Sequence, residues 1–182
     1  MTRGQIPGRR SIWERPAPVD ARRQLGHWEA DTLRGARRRA ALLSVVERRS
    51  RYSRLAKLAR LSARTARRAL VARLSAFSAR VRSLTADNGK EFAEHRQTSE
   101  DLRADFYFAD PYAAWQRGTG ENTNGLIRQY LPKTRDLSTV SGAEIRMIEN
   151  RLNLRPRKCL DYLTPYEVFN NTRVELTVAL RS

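Results

Sequence analysis

Asp31, Asp87 and Glu121 are the side chains of this 182-residue chain whose types and settings could do chemistry. Each offers hard carboxylate oxygens. Magnesium prefers such donors and keeps several of its waters, so two or three carboxylates with open positions suit it. Two Mg2+ ions, or Mn2+ in their place, held about 3.5–4 Å apart can activate a water or a 3′-hydroxyl and stabilise a leaving oxygen. Taken singly, each acid also has an ordinary reading. Asp87 ends a strand at a turn, Glu121 sits where an acid favours a helix N-terminus, and Asp31 reads as a surface acid. The chain has 19 acidic residues. Many triplets can be drawn from them, so position alone nominates these three.

The elements around the acids follow from hydrophobic period. His27 to Leu33 alternates, with Trp28, Ala30 and Thr32 on one face and Glu29, Asp31 and Leu33 on the other. Ala40 to Val46 is a short apolar run, the length of a buried strand. Tyr52 to Leu58 alternates moderately, and the tight connections between these three strands predict an antiparallel meander. From Ser62 to Phe77 the period changes: Ala66, Leu70, Leu74 and Phe77 recur at helical spacing, with Ser62 as N-cap. Val81 to Ala86 is a strand ended by Asp87-Asn88-Gly89, where a glycine suits a turn. Glu94 to Asp101 predicts a short helix and Ala104 to Phe108 a fifth strand. A loop runs from Asp110 to Gly120. Helices are predicted over Glu121 to Tyr130, Ser141 to Leu152 and Thr164 to Phe169, with Ser141 and Glu144 as a capping box and Pro165 in a first turn.

This order predicts an α/β fold with a mixed five-stranded sheet, an antiparallel meander extended by parallel strands and flanked by helices. It is the strand order of ribonuclease H-like folds. In such a sheet the first and fourth strands can be neighbours, which would bring Asp31 and Asp87 to one edge. The chain divides into a basic N-terminal arm over 1–24, with Pro7, Pro16 and Pro18 arguing for extended backbone, a core over 25–172 and a tail over 173–182.

Composition bounds the partners. The formal charge is +17, and only Lys57, Lys90, Lys133 and Lys158 of the 36 basic residues are lysines, the rest being arginine. Arginine grips phosphate with a planar fork, and a large positive excess points to a polyanion. A composition bias toward arginine and alanine accounts for part of the same excess. Cys159 is the one cysteine, so an internal disulfide is impossible and a reducing compartment is natural. Two histidines and one cysteine are too few for a Cys/His zinc site. No apolar run approaches the roughly 20 residues that span a bilayer. Met1 to Arg10 lacks the apolar stretch of a signal peptide. The reading is a cytoplasmic protein working at DNA, with no membrane partner.

Longer motifs surround the acids. Gly26–Thr32 reads Gly-His-Trp-Glu-Ala-Asp-Thr, and Thr85–Phe92 reads Thr-Ala-Asp-Asn-Gly-Lys-Glu-Phe. Tyr107–Gly125 contains Ala-Asp-Pro-Tyr before Thr-Gly-Glu-Asn, and Asn153–Leu160 leads to Thr164-Pro165. In this order they resemble the bacterial insertion-sequence-thirty family of transposases, from about Ser11 to Phe169. The resemblance implies a ribonuclease H-like catalytic core whose Asp-Asp-Glu triad is Asp31, Asp87 and Glu121, the last two 34 positions apart. It implies two Mg2+ or Mn2+ ions, hydrolysis at the terminal inverted repeats of a mobile element, and attack of the freed 3′-hydroxyl on target DNA. It also implies a homo-oligomer on DNA. Three positions depart from the family pattern: His27 stands for an acid, Ala30 for a glycine and Gly120 for an asparagine. The family's N-terminal helix-turn-helix region would fall outside the chain, which begins in what would be the connecting arm.

Further residues are expected at DNA. Tyr112, Trp115, Gln116 and Arg117 lie in the loop before the Glu121 helix, where aromatics could stack on an unpaired base. Asn122, Asn124, Arg128 and Lys133 lie on or after that helix. Arg155, Arg157 and Lys158 form a basic cluster that suits phosphate, or a solvated surface. A rival to catalysis is a transposase remnant that binds DNA or a partner without cutting. Another is a different nuclease on the same fold.

Overall fold

A computed structural model describes residues 6–37, 39–111 and 113–174. Its strands are β1 (Arg10–Ser11), β2 (His27–Arg34), β3 (Ala41–Glu47), β4 (Ser53–Leu58), β5 (Ser83–Ala86) and β6 (Asp105–Phe108). Its helices are α1 (Ala17–Asp20), α2 (Ala63–Leu74), α3 (His95–Leu102), α4 (Gly118–Tyr130), α5 (Gly142–Leu154) and α6 (Pro165–Asn170). The strands form one mixed sheet in the order β1-β6-β5-β2-β3-β4. β2, β3 and β4 pair antiparallel, while β5 joins β2, β6 joins β5 and β1 joins β6 in parallel.

The five predicted strands are all present, and β1 makes the sheet six-stranded. This added strand comes from the segment read as an extended arm. Its two residues pair with Tyr107 and Phe108. Arg10 holds the pairing, because its guanidinium donates to Asp105 Oδ1 at 2.6 Å and lies 4.7 Å from the Tyr107 ring centre. Ile6, Ile12 and Val19 of the same segment are buried.

Apolar layers cover both faces of the sheet. Trp28, Ala30, Leu43 and Val45 pack with Ala66, Leu70 and Leu74 of α2, Leu102 of α3 and Phe169 of α6. Leu33, Leu42 and Leu55 pack with Ile127 of α4 and Ile145, Ile148 and Leu152 of α5. β3 is buried along its whole length, as its unbroken apolar run requires. Ser62 caps α2 as expected, accepting from the Thr65 N–H. Thr164 and Glu167 form a capping box that starts α6, with Pro165 in its first turn. Phe169 then stacks on Tyr52 at 4.5 Å between ring centres, which ties α6 to the sheet.

β2 carries the alternation read from its sequence. Trp28 and Ala30 enter one layer and Leu33 enters the other, so Glu29 and Asp31 face α4. α4 begins at Gly118, three residues ahead of the expected start at Glu121. Glycines are poor helix formers, but tertiary partners hold this turn. The Gly120 N–H donates to buried Glu29 Oε2 at 2.6 Å, and Arg51 Nη1 donates to Thr119 Oγ1 at 2.6 Å.

Candidate active site

Register sets the two aspartates side by side. In the parallel β2–β5 pair, His27 lies opposite Ser83 and Glu29 opposite Thr85. Two residues further along each strand stand Asp31 and Asp87. Side chains two residues apart on a strand share a face, so both acids emerge level with one another on the α4 side. Past β5 the Gly89 N–H donates to Asp87 Oδ1 at 3.0 Å. A β-carbon at Gly89 would come within 3.0 Å of that oxygen and 2.5 Å of Glu91 Oε2. A larger residue would have to push the Glu91 carboxylate aside, although the Gly89 backbone, at φ −64°, needs no glycine.

The two acids share a cation, Arg117. Its Nη1 lies 3.0 Å from Asp31 Oδ2 and its Nη2 lies 3.9 Å from Asp87 Oδ2. The Arg117 side chain is only 8% exposed. Its Nε and Nη1 have no well-aligned hydrogen-bond acceptor among the described residues, so charge more than hydrogen-bond geometry holds it. Burial works against the guanidinium, but Asp31 and then Asp87 outweigh it and raise the Arg117 pKa above its ordinary value. Burial also raises the Asp87 pKa, and the negative charge of Asp31 raises it further. The pair therefore holds negative charge that favours a cation between its members.

α4 docks on β2 beside this pair. Asn124 Nδ2 donates to Asp31 Oδ2 at 2.9 Å, one helical turn past the Gly120–Glu29 contact. Glu121 lies in the first turn of α4 and is exposed. It precedes Asn124 by three residues, and residues three apart are neighbours on a helix surface. The structure thus brings Asp31 and Asp87 together on Arg117 and leaves Glu121 on the adjoining helix, turned to solvent. No group of three His, Cys, Asp or Glu side chains among the described residues is close enough to share one metal ion.

The other expected contact residues divide sharply. Trp115, Asn122, Lys133, Arg155 and Lys158 are exposed. Gln116 is buried and hydrogen-bonded to Asp110. Arg128 donates to the Arg34 and Leu131 carbonyls, and Arg157 donates to the Leu152 carbonyl. Tyr112 and residues 175–182 of the tail lie outside the described residues.

Several neighbours were not singled out by sequence reasoning. Glu29 is 1% exposed and accepts from both Arg48 Nη1, at 2.5 Å, and the Gly120 N–H. It joins β2 to the turn that carries Glu121. Its signal was its place on the Asp31 face of the strand. Glu91 accepts from Thr32 Oγ1 at 2.6 Å, close to the Asp87 turn. Arg9 donates to Asn88 Oδ1, and Asn88 Nδ2 donates to the Ala109 carbonyl at 2.6 Å.

A mixed sheet with two carboxylates level on neighbouring central strands, and a helix docked over them, defines an integrase-type core. The chain belongs to the integrase core domain family, whose sequence profile matches residues 21–114. Its relatives are insertion-sequence transposases. It is 43% identical to the transposase of element IS4351 of Bacteroides fragilis over 99% of this chain and 55% of that one. It is 45% identical to the IS1086 transposase of Cupriavidus metallidurans over 91% and 49% of the two chains. It is 40% identical to the IS30A transposase InsI of Escherichia coli over 86% and 41%. The chain spans about half the length of the curated relatives it matches. In fold it is similar to the catalytic core domain of BIV integrase, with a TM-score of 0.57 at 19% identity over 80% of this chain and 94% of that one. A chain of the simian T-cell lymphotropic virus intasome, captured with the PP2A regulatory subunit B56 gamma, aligns with a TM-score of 0.67 at 18% identity over 83% and 56%. No described helix is long and apolar enough to cross a membrane.

Proposed function

We propose that the chain is the catalytic core of a DNA transposase, a polynucleotidyl transferase that cuts and joins strands at the ends of an insertion sequence. The observation that carries this reading is the level pair Asp31 and Asp87, sharing one buried cation beside α4. The donor set fits a divalent metal: two hard carboxylates, one of which is pushed toward its neutral form by burial first and by the charge of the other second. Asp31 and Asp87 would hold the metal in place of the Arg117 guanidinium, and Glu121 would complete the site by turning inward from α4. Bound there, two Mg2+ or Mn2+ ions would supply Lewis acidity and a deprotonated nucleophile.

The chain's own residues do the rest. Glu29 fixes the first turn of α4 through the Gly120 N–H, and Asn124 orients the Asp31 carboxylate. The positive charge, +17 over the whole chain, draws in the phosphodiester that bare carboxylates would repel. In the first step a water oxygen bonds to phosphorus and the bond to the 3′-oxygen breaks. The leaving oxygen takes up a proton and becomes a free 3′-hydroxyl. In the second step that hydroxyl loses its proton and bonds to a target phosphorus, and the displaced target 3′-oxygen takes up a proton. One phosphodiester replaces another, so no external energy source enters. The family's work on DNA, and an intasome among the structural neighbours, support action as a homo-oligomer on element ends and target DNA.

A second reading, DNA binding without catalysis, draws on Arg117 standing between the aspartates and on the outward Glu121. A strand-transfer assay with Mg2+ or Mn2+ separates the two. Wild type should nick and join DNA. Asp87→Ala and Asp31→Ala should each fall to about a thousandth or less of that rate, while binding DNA with similar affinity. Wild-type protein that binds DNA yet neither nicks nor joins any substrate supports the second reading instead.

A further inference from the structure

Two of the three tryptophans of this chain are not in the core. Trp13 is 71% exposed and Trp115 is 72% exposed. Large aromatic faces in water are unusual unless something covers them. Both line one cavity of about 240 Å3. That is below the usual range for a drug-sized ligand, about 300–1,000 Å3, and suits a single flat group. The Trp13 ring is anchored at its edge, and the turn that carries Trp115 is tied to the same carboxylate. Trp13 Nε1 donates to Asp110 Oδ2 at 2.7 Å, and Gln116, next to Trp115, donates to the same oxygen at 3.0 Å.

The rest of the lining is cationic. Arg15, Arg22 and Arg48 face the cavity with Asp20, which pairs with Arg15 and Arg48, while Glu29 takes the far side of Arg48. Arg15 and Arg48 are buried, and the Nε of each has no hydrogen-bond partner among the described residues. Arg22 is crowded by its own kind: burial lowers its pKa, and Arg51 and Arg48 lower it further. An aromatic pair over surplus guanidiniums matches a ligand with a flat π-face and a negative charge, the chemistry of a nucleotide. A paired base cannot present its face, whereas an unpaired one can.

We infer that Trp13, Trp115 and the arginines beneath them form a pocket for one unpaired nucleotide of a DNA strand, its base against the indoles and its phosphate against the guanidiniums. The pocket adjoins the aspartate pair through a single 3-10 turn, Ala114–Arg117, in which Gln116 lines the pocket and the next residue, Arg117, meets Asp31. A strand held there has its next phosphates directed toward Asp31 and Asp87. The inference rests on the DNA reading above and adds to it the form of DNA that is held, a frayed or tailed end.

The test compares a blunt duplex with the same duplex carrying a short unpaired tail, without divalent metal, by fluorescence anisotropy. Quenching of tryptophan emission is followed in parallel, since Trp28 is buried and the two open indoles carry the change. Base stacking on an aromatic predicts that wild type prefers the tailed duplex by about tenfold. Trp115→Ala should bring the ratio of the two affinities close to one, Trp13→Ala should lower it, and Trp115→Phe should keep most of it. Equal melting temperatures across the set exclude misfolding as the cause. Equal wild-type affinity for both duplexes overturns the inference, as does a ratio that survives loss of both indoles. An RNA tail or an acidic aromatic peptide that displaces the DNA tail and binds more tightly overturns it in favour of that class. The same ratio measured on Asp87→Ala keeps this outcome apart from catalysis: an intact tail preference with no strand transfer by wild type sinks only the catalytic reading.

Discussion

Two buried arginines, Arg48 beneath the tryptophan pocket and Arg117 at the end of the Ala114–Arg117 turn, have pKa values shifted in opposite directions. Arg48 pairs with Glu29 at 2.5 Å, both side chains 5% exposed or less. Burial lowers its pKa, Glu29 and Asp20 work against this, and Arg15 and Arg51 add to the lowering. Arg117 pairs with Asp31 at 3.0 Å and reaches Asp87 at 3.9 Å, and its pKa is raised despite burial. The Arg48 pKa stays lowered even with Glu29 and Asp20 beside it, whereas Asp31 and Asp87 outweigh burial at Arg117. A region crowded with arginines suits phosphate, and two adjoining carboxylates suit a metal. The contacts differ in length: the Glu29 pair closes at 2.5 Å, whereas Arg117 reaches its carboxylates at 3.0 and 3.9 Å.

The strongest way to break this contrast is to remove Glu29. Glu29→Ala leaves Arg48 buried without its carboxylate and the Gly120 N–H without an acceptor. Breaking a buried pair in this way costs about 3–5 kcal/mol, read as a lower midpoint in urea unfolding. A loss below about 1 kcal/mol would mean that the pair does not anchor α4. Arg117→Gln should be milder on stability and have an opposite effect on metal. With the competing guanidinium gone, Mn2+ should bind the protein alone about tenfold more tightly, measured by calorimetry without DNA. Unchanged or weaker Mn2+ binding contradicts the idea that the guanidinium stands where a metal would.

The smallest effect concerns pH. The Asp87 pKa is raised in the folded protein, by burial first and Asp31 second. The folded state therefore holds this proton more tightly than the unfolded chain does. Stability linked to Asp87 is fully present below the ordinary aspartate pKa of about 3.9 and is lost as pH rises through the folded value. Asp87→Asn removes that loss. Its melting temperature should match wild type in acid and exceed it near neutral pH by about 1–2 °C, the carboxylate being partly solvated. A variant less stable than wild type at neutral pH would show that the Arg117 contact outweighs the cost of burying Asp87.

Much of this site was legible in the sequence because its signals are local. The period-2 pattern of β2 put Glu29 and Asp31 on one face, and the strand order made neighbours of the strands bearing Asp31 and Asp87. What was hidden depends on distant partners. The first turn of α4 contains two glycines that propensity assigns to a loop, and only Glu29 and Arg51, far back in the chain, make it helical. Arg117 reads as a phosphate ligand by residue type. Its burial follows from two carboxylates 86 and 30 positions away in sequence, whose joint field no window of neighbours contains. The outward Glu121 likewise follows no local pattern, since the resemblance names its role and not its rotamer.

The two-residue strand β1 has a consequence for the order in which the molecule assembles. Arg10 meets Tyr107 across 97 positions, and Arg9 meets Asn88 across 79. Closing such long loops costs entropy that a pair of strand residues repays only after β5 and β6 already stand. β1 is thus a late arrival, although it is made first, and it is the section that detaches soonest under denaturant. Because Asn88 follows Asp87 directly, the Arg9 contact is a second clamp beside the aspartate, added to the Asn88 bond to the Ala109 carbonyl once this segment folds back.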